Sequence, residues 1–214
     1  MMKKVNLISI GLVILSSHAL FAQEDAENHL KEAKTYIKAK NFKEARLAMQ
    51  DALASLKSLT GKEILKVLPN EINGMKLLNK EDEHVNLSDY SYGDGGFNIS
   101  RTYKKDKDTV SYITVTIYVT SIGANGIKNN LMTPSLLDPL KEKIIKLHNG
   151  KRVLMRRYTN YTQDQSFNEL TLSIPYNEFY VTITGYGQEA MEESLIKYIA
   201  QINFDVLKQL TNDK

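Results

Sequence analysis

The stretch Tyr112-Ile113-Thr114-Val115-Thr116-Ile117-Tyr118-Val119 decides the fold class. Apolar residues fall at every second position and hydroxyl-bearing residues fall between them. That is the two-residue period of a strand, not the 3.6-residue period of a helix. Every member is β-branched or aromatic, the types that suit a pleated, half-buried surface. Ile113, Val115, Ile117 and Val119 therefore face a core, while Tyr112, Thr114, Thr116 and Tyr118 face the other way. The pattern returns near the C-terminus, where Phe179, Val181 and Ile183 alternate with Tyr180, Thr182, Thr184 and Tyr186.

Outward from these two segments the strand period continues. Phe97, Ile99, Arg101 and Tyr103 alternate with Asn98, Ser100 and Thr102. Leu170, Leu172 and Ile174 alternate with Glu169, Thr171 and Ser173, and Pro175-Tyr176-Asn177 then turns the chain into the strand that begins at Phe179. Asn73-Gly74 and Asp94-Gly95-Gly96 are turn signals. Asn149-Gly150, between 143–147 and 151–158, predicts a further hairpin. Leu137, Leu140, Ile144 and Leu147 would also fit a helix, but Pro139 disfavours a long one. Residues 123–140, with Gly123, Gly126, Pro134 and Pro139, read as a loop with room for a helical turn near 127–132. After Gly187, the residues Met191, Leu195, Tyr198, Ile199 and Ile202 form a helical stripe, and Phe204, Leu207 and Leu210 close the chain. The expected fold is α+β: about six mostly antiparallel strands, with a C-terminal helix packed on their apolar face, over residues 62–214.

The N-terminal part has a different period. In residues 24–60, Leu30, Ala33, Tyr36 and Ile37 recur at helical spacing, as do Ala45, Met49, Ala52, Leu56 and Leu59. Lys40-Asn41 is a connection short enough for antiparallel neighbours. Gly61 reads as the stop of the second helix, followed by a short helical turn over 62–68 that ends at Pro69. The expected module is a helical hairpin over 23–61.

Residues 1–22 have the layout of a secretory signal peptide. Lys3 and Lys4 precede an apolar run (Ile8, Ile10, Leu12, Val13, Ile14, Leu15), small residues follow, and the chain turns polar at Gln23-Glu24-Asp25, which places cleavage after Ala22. The apolar run is about half of the roughly 20 residues that span a bilayer, so no membrane span is expected after cleavage. The expected location is the periplasm, free or peripheral to the outer membrane. Losing Lys3 and Lys4 lowers the formal charge from +3 to about +1. Such a balance disfavours nucleic acid as a partner, because phosphate binding needs a basic excess. The densest basic run, Lys104, Lys105 and Lys107, is broken by Asp106 and Asp108 and reads as a solvated turn. The chain has no cysteine, which excludes disulfides, thiolate metal sites and thiol nucleophiles.

Two resemblances add to this. The hairpin resembles a single tetratricopeptide-like repeat through Ala33, Tyr36, Ala45 and Ala52, with Lys40-Asn41-Phe42 at the turn, although His29 stands where a tryptophan or leucine is usual. Arrays of such repeats bury their core by stacking, so a hairpin docked on the next domain is the plainer reading. The order Leu68-Pro69, Asn73-Gly74-Met75, a glycine-rich turn, strands, an Asn-Gly hairpin and a C-terminal helix is similar to exported α+β domains of the Mog1/PsbP-like type, with Met75 where a tryptophan is common. That resemblance implies a non-enzymatic binding or accessory role.

No residue pattern points to catalysis, a cofactor or a metal. Gly93-Asp94-Gly95-Gly96 lacks the spacing and the following helix of a phosphate loop. Ser194-Leu195-Ile196-Lys197 matches Ser-x-x-Lys, but the partner motifs of the serine enzymes that use it are missing. His29, His84 and His148 lie far apart in sequence; His84 ends the acidic run Glu81-Asp82-Glu83 and reads as part of a solvated loop. The unusual feature is the hydroxyl and tyrosine face. Tyr112, Tyr118, Tyr180, Thr182 and Tyr186 are the candidate interaction residues, since tyrosine gives contact area at low entropic cost. Two other readings stand beside this: a solvated face composed by strand preference alone, or a face covered by the helical hairpin. The functional expectation is a non-enzymatic periplasmic accessory protein that contacts an envelope protein partner. The alternative is a binder of a small or lipidic ligand in a pocket between sheet and helices, and the third possibility a hydrolase with a dispersed site.

Overall fold

The computed structural model describes the backbone of residues 9–77, 83–86, 96–105, 111–161 and 166–211, and the side chains of 23–77, 83–86, 96–105, 111–159 and 168–211. The Asp94-Gly95 turn and the loop carrying Lys107 lie outside the described residues. By internal packing the chain divides into two compact units, residues 1–60 and 61–214.

The first unit is a pair of helices. Helix α1 spans Ser9–Lys38 and α2 spans Phe42–Val67. The chain turns at Lys40, whose φ of 56° lies in the left-handed region, and Asn41 N–H donates to the Tyr36 carbonyl at 2.9 Å. The buried positions here are small: Ala26, Ala33, Ala45, Ala48 and Ala52. The larger members of the expected stripes, Leu30, Ile37, Met49 and Leu56, are about half exposed. Gly61 does not end α2, which continues to Val67. A Cβ at position 61 would lie 2.6 Å from Val85 Cγ1, so this glycine permits a close approach to the sheet instead of stopping the helix.

The second unit is built on a sheet of nine strands, not about six. They are β1 (Glu71–Ile72), β2 (Met75–Lys76), β3 (Glu83–Asn86), β4 (Phe97–Lys104), β5 (Tyr112–Val119), β6 (Glu142–Lys146), β7 (Arg152–Tyr161), β8 (Ser166–Pro175) and β9 (Phe179–Tyr186). The order is β1-β2-β4-β5-β9-β8-β7-β6, with β3 also on β4, and every pairing is antiparallel. The extra strands are the short β1, β2 and β3, too brief to show a period. Asn73 (φ 47°) and Gly74 (φ 79°) form the two-residue turn between β1 and β2, as a hairpin of primed turn type requires. The Asn149-Gly150 hairpin joins β6 to β7.

Ile113, Val115, Ile117, Val181 and Ile183 are fully buried on one sheet face. Against that face pack the last turn of α2 through Ile64, Leu68 just after it, and the C-terminal segment through Leu195, Tyr198, Ile199, Ile202 and Leu207. Each large side chain buried this way contributes about 1.5–3 kcal/mol of transfer free energy. The C-terminal helix is two helices, α4 (Glu192–Ile199) and α5 (Phe204–Leu210), because Asn203 caps a new start by accepting from Val206 N–H at 3.2 Å. Met191 precedes α4 and is exposed.

Arg101 falls among the apolar residues of β4 and is buried. Its guanidinium donates to the carbonyls of Leu65 (2.7 Å), Leu68 (2.6 Å) and Pro69 (3.1 Å), and pairs with Glu83. A cation thus meets the carbonyl end of α2, where the helix dipole favours one. Tyr103 adds an O–H donated to Pro69 at 2.8 Å.

The segment read as a loop contains α3 (Ser121–Met132). Thr120 caps it, accepting from Gly123 N–H at 3.3 Å, and a 3₁₀ turn over Pro134–Leu136 follows. Ala124, Ile127 and Leu131 bury against Leu154 and Tyr180. This places α3 on the sheet face opposite the C-terminal helices and adds a partial third layer.

Candidate functional site

The register of the sheet arranges the hydroxyl face in four rows across the strands. One end row is Asn98, Tyr118, Tyr180 and Pro175. The next is Ser100, Thr116, Thr182, Ser173 and Leu154. The third is Thr102, Thr114, Thr184, Thr171, Arg156 and Glu142. The last holds Lys104, Tyr112, Tyr186, Glu169 and Tyr158. Two rows of hydroxyls are thus bracketed by two rows containing tyrosines. Tyr112 and Tyr118 stand six residues apart on β5, roughly 20 Å at about 3.4 Å per residue.

Stacked rings fix both ends. Tyr118 and Tyr180 have centroids 4.6 Å apart and planes 7° from parallel; Tyr112 and Tyr186 have centroids 4.2 Å apart and planes at 21°. Burial raises the Tyr186 phenol to about 12, reinforced by the Glu169 charge, and burial raises Tyr112 as well. Both phenols are therefore neutral donors and acceptors at physiological pH.

Helix α3 stands over the Tyr118–Tyr180 end, and the space between it and the sheet is a cleft of about 710 Å³. The floor is Thr114, Thr116, Thr171, Ser173, Thr182 and Thr184; Tyr158, Glu169 and Tyr186 close the far end, and Ile122, Gly126, Ile127 and Asn130 of α3 form the overhang. In the third row the hydroxyls bond each other, Thr102 to Thr114 at 3.1 Å and Thr171 to Thr184 at 2.9 Å. At the end of that row Arg156 Nε donates to Glu142 at 2.5 Å, and this bond, more than any other influence, holds the Glu142 carboxyl below its usual range. In the second row, Thr116, Thr182 and Ser173 make no side-chain hydrogen bond among the described residues. Each hydroxyl can donate once and accept twice.

Of the candidate interaction residues, Tyr118, Tyr180, Thr182 and Tyr186 line this cleft. Tyr112 stands behind Tyr186 as its stacking partner. Tyr180 is only 6% exposed, so it acts as wall and as support for α3. Arg156, Tyr158 and Glu169 were not singled out from the sequence. Arg156 and Tyr158 share a face of β7 with Leu154, a two-residue period that could have placed them, but only the β7–β8 pairing brings them to the hydroxyl rows.

Ser194 and Lys197 of the Ser-x-x-Lys match border a separate cleft of about 910 Å³ between α4 and the β7–β8 side of the sheet. Lys197 is exposed there, and no hydrogen bond joins the two side chains among the described residues. His84 lies exposed on β3. Among the described residues no three His, Cys, Asp or Glu side chains cluster as a metal site, and no helix is long and apolar enough to cross a membrane.

No family model matches the chain, and no curated protein matches it. Among solved structures, a crystal structure of a protein from Bacteroides thetaiotaomicron VPI-5482 is similar over 60% of this chain and 43% of that one, at 9% sequence identity and a TM-score of 0.36. The chain spans less than half of that protein's length, and the likeness is too slight to bear on fold or function.

Proposed function

We propose that this chain is an exported, non-enzymatic binding protein whose ligand lies in the cleft between the tyrosine and threonine face and α3. Residues 1–22 are removed on export, and the mature protein works in the periplasm, as the resemblance to exported Mog1/PsbP-like domains would suit. The observation that carries the reading is the cleft itself. Its volume falls within the range of small-ligand pockets, and it exposes hydroxyls that the protein leaves without a side-chain partner. The ionisable groups around it support binding over turnover: Arg156 is held by Glu142, and the Tyr186 phenol is too weakly acidic to act as a base near neutrality.

The test adds purified mature protein to fractions of envelope extract and reads native mass together with tyrosine fluorescence. A non-covalent adduct is expected on the wild type. It should be missing on Gly126→Phe, because a Cβ at position 126 meets no atom within 4 Å and the ring would fill open space at the overhang. No adduct from any fraction, or an equal adduct on the variant, would overturn the reading.

A second reading, contact with an envelope protein partner, is favoured by Phe42, Met49, Leu53 and Leu56 on α2, all about half exposed or more. Affinity purification from the native envelope with and without Met49→Glu and Leu56→Glu tests it. A stoichiometric protein partner lost on these changes is the expected result.

A further inference from the structure

We infer that the ligand class of this cleft is a neutral saccharide chain; the inference rests on the binding reading above. The first argument is the chemistry of the floor. Thr116 and Thr182, both half-buried, present hydroxyls that both donate and accept, side by side on β5 and β9, with the buried Ser173 of β8 next in the row. A ligand that matches them must also donate and accept at closely spaced points, as a polyol does. A lipid tail would leave these hydroxyls desolvated and unpaired, at a cost it cannot repay.

Charge is the second argument. Among the described residues the one arginine lining the cleft is neutralised by Glu142 within its own row, and Glu169 adds negative charge at the far end. A phosphate, nucleotide or sulfate finds no cationic cradle among these residues.

Third, the floor is the face of a sheet and not its edge. The backbone groups of β5, β8 and β9 are engaged in the ladder on both sides, so an extended peptide would find no main-chain partners of the kind that strand addition supplies. A saccharide needs none. It needs hydroxyl partners and flat aromatic surfaces for the C–H faces of its rings, and tyrosine supplies both together. Tyr118, backed by the buried Tyr180, stands at one end and Tyr186 and Tyr158 at the other, with the hydroxyl rows between, so a short chain of rings would meet an aromatic side chain at each end.

The experiment titrates the mature protein by calorimetry with a panel of neutral oligosaccharides, with acidic oligosaccharides and with a mixed peptide library. The comparison protein is Thr116→Val/Thr182→Val, which keeps shape and strand preference but removes two hydroxyls. At least one neutral oligosaccharide should bind. The double variant should weaken that binding by about tenfold or more with little change in melting temperature, and Gly126→Phe should abolish it. Saccharide binding that ignores both variants, or acidic oligosaccharides binding more tightly than neutral ones, would overturn the inference. Peptide binding that Gly126→Phe abolishes, without saccharide binding, would overturn the ligand class and leave the cleft as a binding site. No binding by any probe, together with no adduct from envelope extract, would overturn both.

Discussion

Tyr118 and Tyr180 are register partners on neighbouring strands, and their rings lie 7° from parallel with centroids 4.6 Å apart. Gly123 of α3 sits against this stack: a Cβ there would lie 2.6 Å from Tyr180 Cε1 and 3.0 Å from Thr120 Cγ2. The ring cannot retreat without disturbing Tyr118. Gly123→Ala should therefore destabilise by about 1–3 kcal/mol, as overpacking does, in spite of alanine's better helix propensity. Gly126→Ala, where the Cβ meets open space, should stabilise by roughly 0.5–1 kcal/mol. Urea unfolding of both variants gives the two signs; equal effects would mean that α3 does not press on Tyr180.

Tyr180 and Tyr186 should separate stability from binding. Tyr180 is buried with α3, whereas Tyr186 faces the cleft and is half-buried. Tyr180→Thr should cost roughly 2–4 kcal/mol, in the range of large core truncations. Tyr186→Thr should cost less than half of that and weaken the ligand more. Melting temperature and affinity measured on the same preparations check the split.

Arg101 holds three carbonyls at the end of α2 and pairs with Glu83. Arg101→Met leaves those acceptors and a carboxylate without their partner and should cost about 3–5 kcal/mol. The midpoint of chemical unfolding should fall accordingly. A loss below about 1 kcal/mol would mean that water serves the same carbonyls.

Lys40 adopts φ 56° between α1 and α2, a conformation that costs a side-chain-bearing residue about 1–2 kcal/mol. Lys40→Gly relieves it and should stabilise the hairpin by roughly 1 kcal/mol, less what the freer unfolded chain gains. Thermal unfolding of residues 23–214 with and without the change is the measurement.

The phenols set the alkaline limit. Burial raises Tyr103 and Tyr186 to about 12, against 10.0 when exposed. A raised value means that the folded state keeps a proton that the unfolded state releases. That contribution is full below pH about 10 and is lost as pH rises through about 12. Burial raises Tyr112 and Tyr198 as well, so tyrosinate absorbance should show a late-titrating set in the native protein, these two with Tyr103 and Tyr186, that returns to the normal range in denaturant. Glu142 has the opposite sign: its value is lowered by Arg156, so its contribution is present above the ordinary carboxylate range and fades as pH falls through its depressed value. Glu142→Gln should flatten that acid limb.

The sequence determined the longer strands, though not the short β1, β2 and β3, and in β5 and β9 which face meets the core. Alternation in 112–119 and 179–186 is local, and one buried face fixes register strongly because a one-residue slip would turn every side chain over. The same alternation made the tyrosine and threonine face visible before any pairing was known. Hydroxyl rows, by contrast, exist only because β5 pairs with β9 and β9 with β8. Thr116 and Ser173 are far apart in sequence, and no local pattern aligns them. The helix α3 was hidden for a related reason: Gly123 and Gly126 read as breakers, and their use appears only when Tyr180 lies against one and the cleft opens beside the other. Arg101, polar by type among apolar neighbours, finds its reason in the carbonyls of Leu65 and Leu68, more than thirty residues earlier in the chain. Periodicity fixes the elements and their faces because it acts between neighbours in sequence. The cleft, its roof and the Arg156–Glu142 pair at its side came from long-range pairing, which local pattern does not encode.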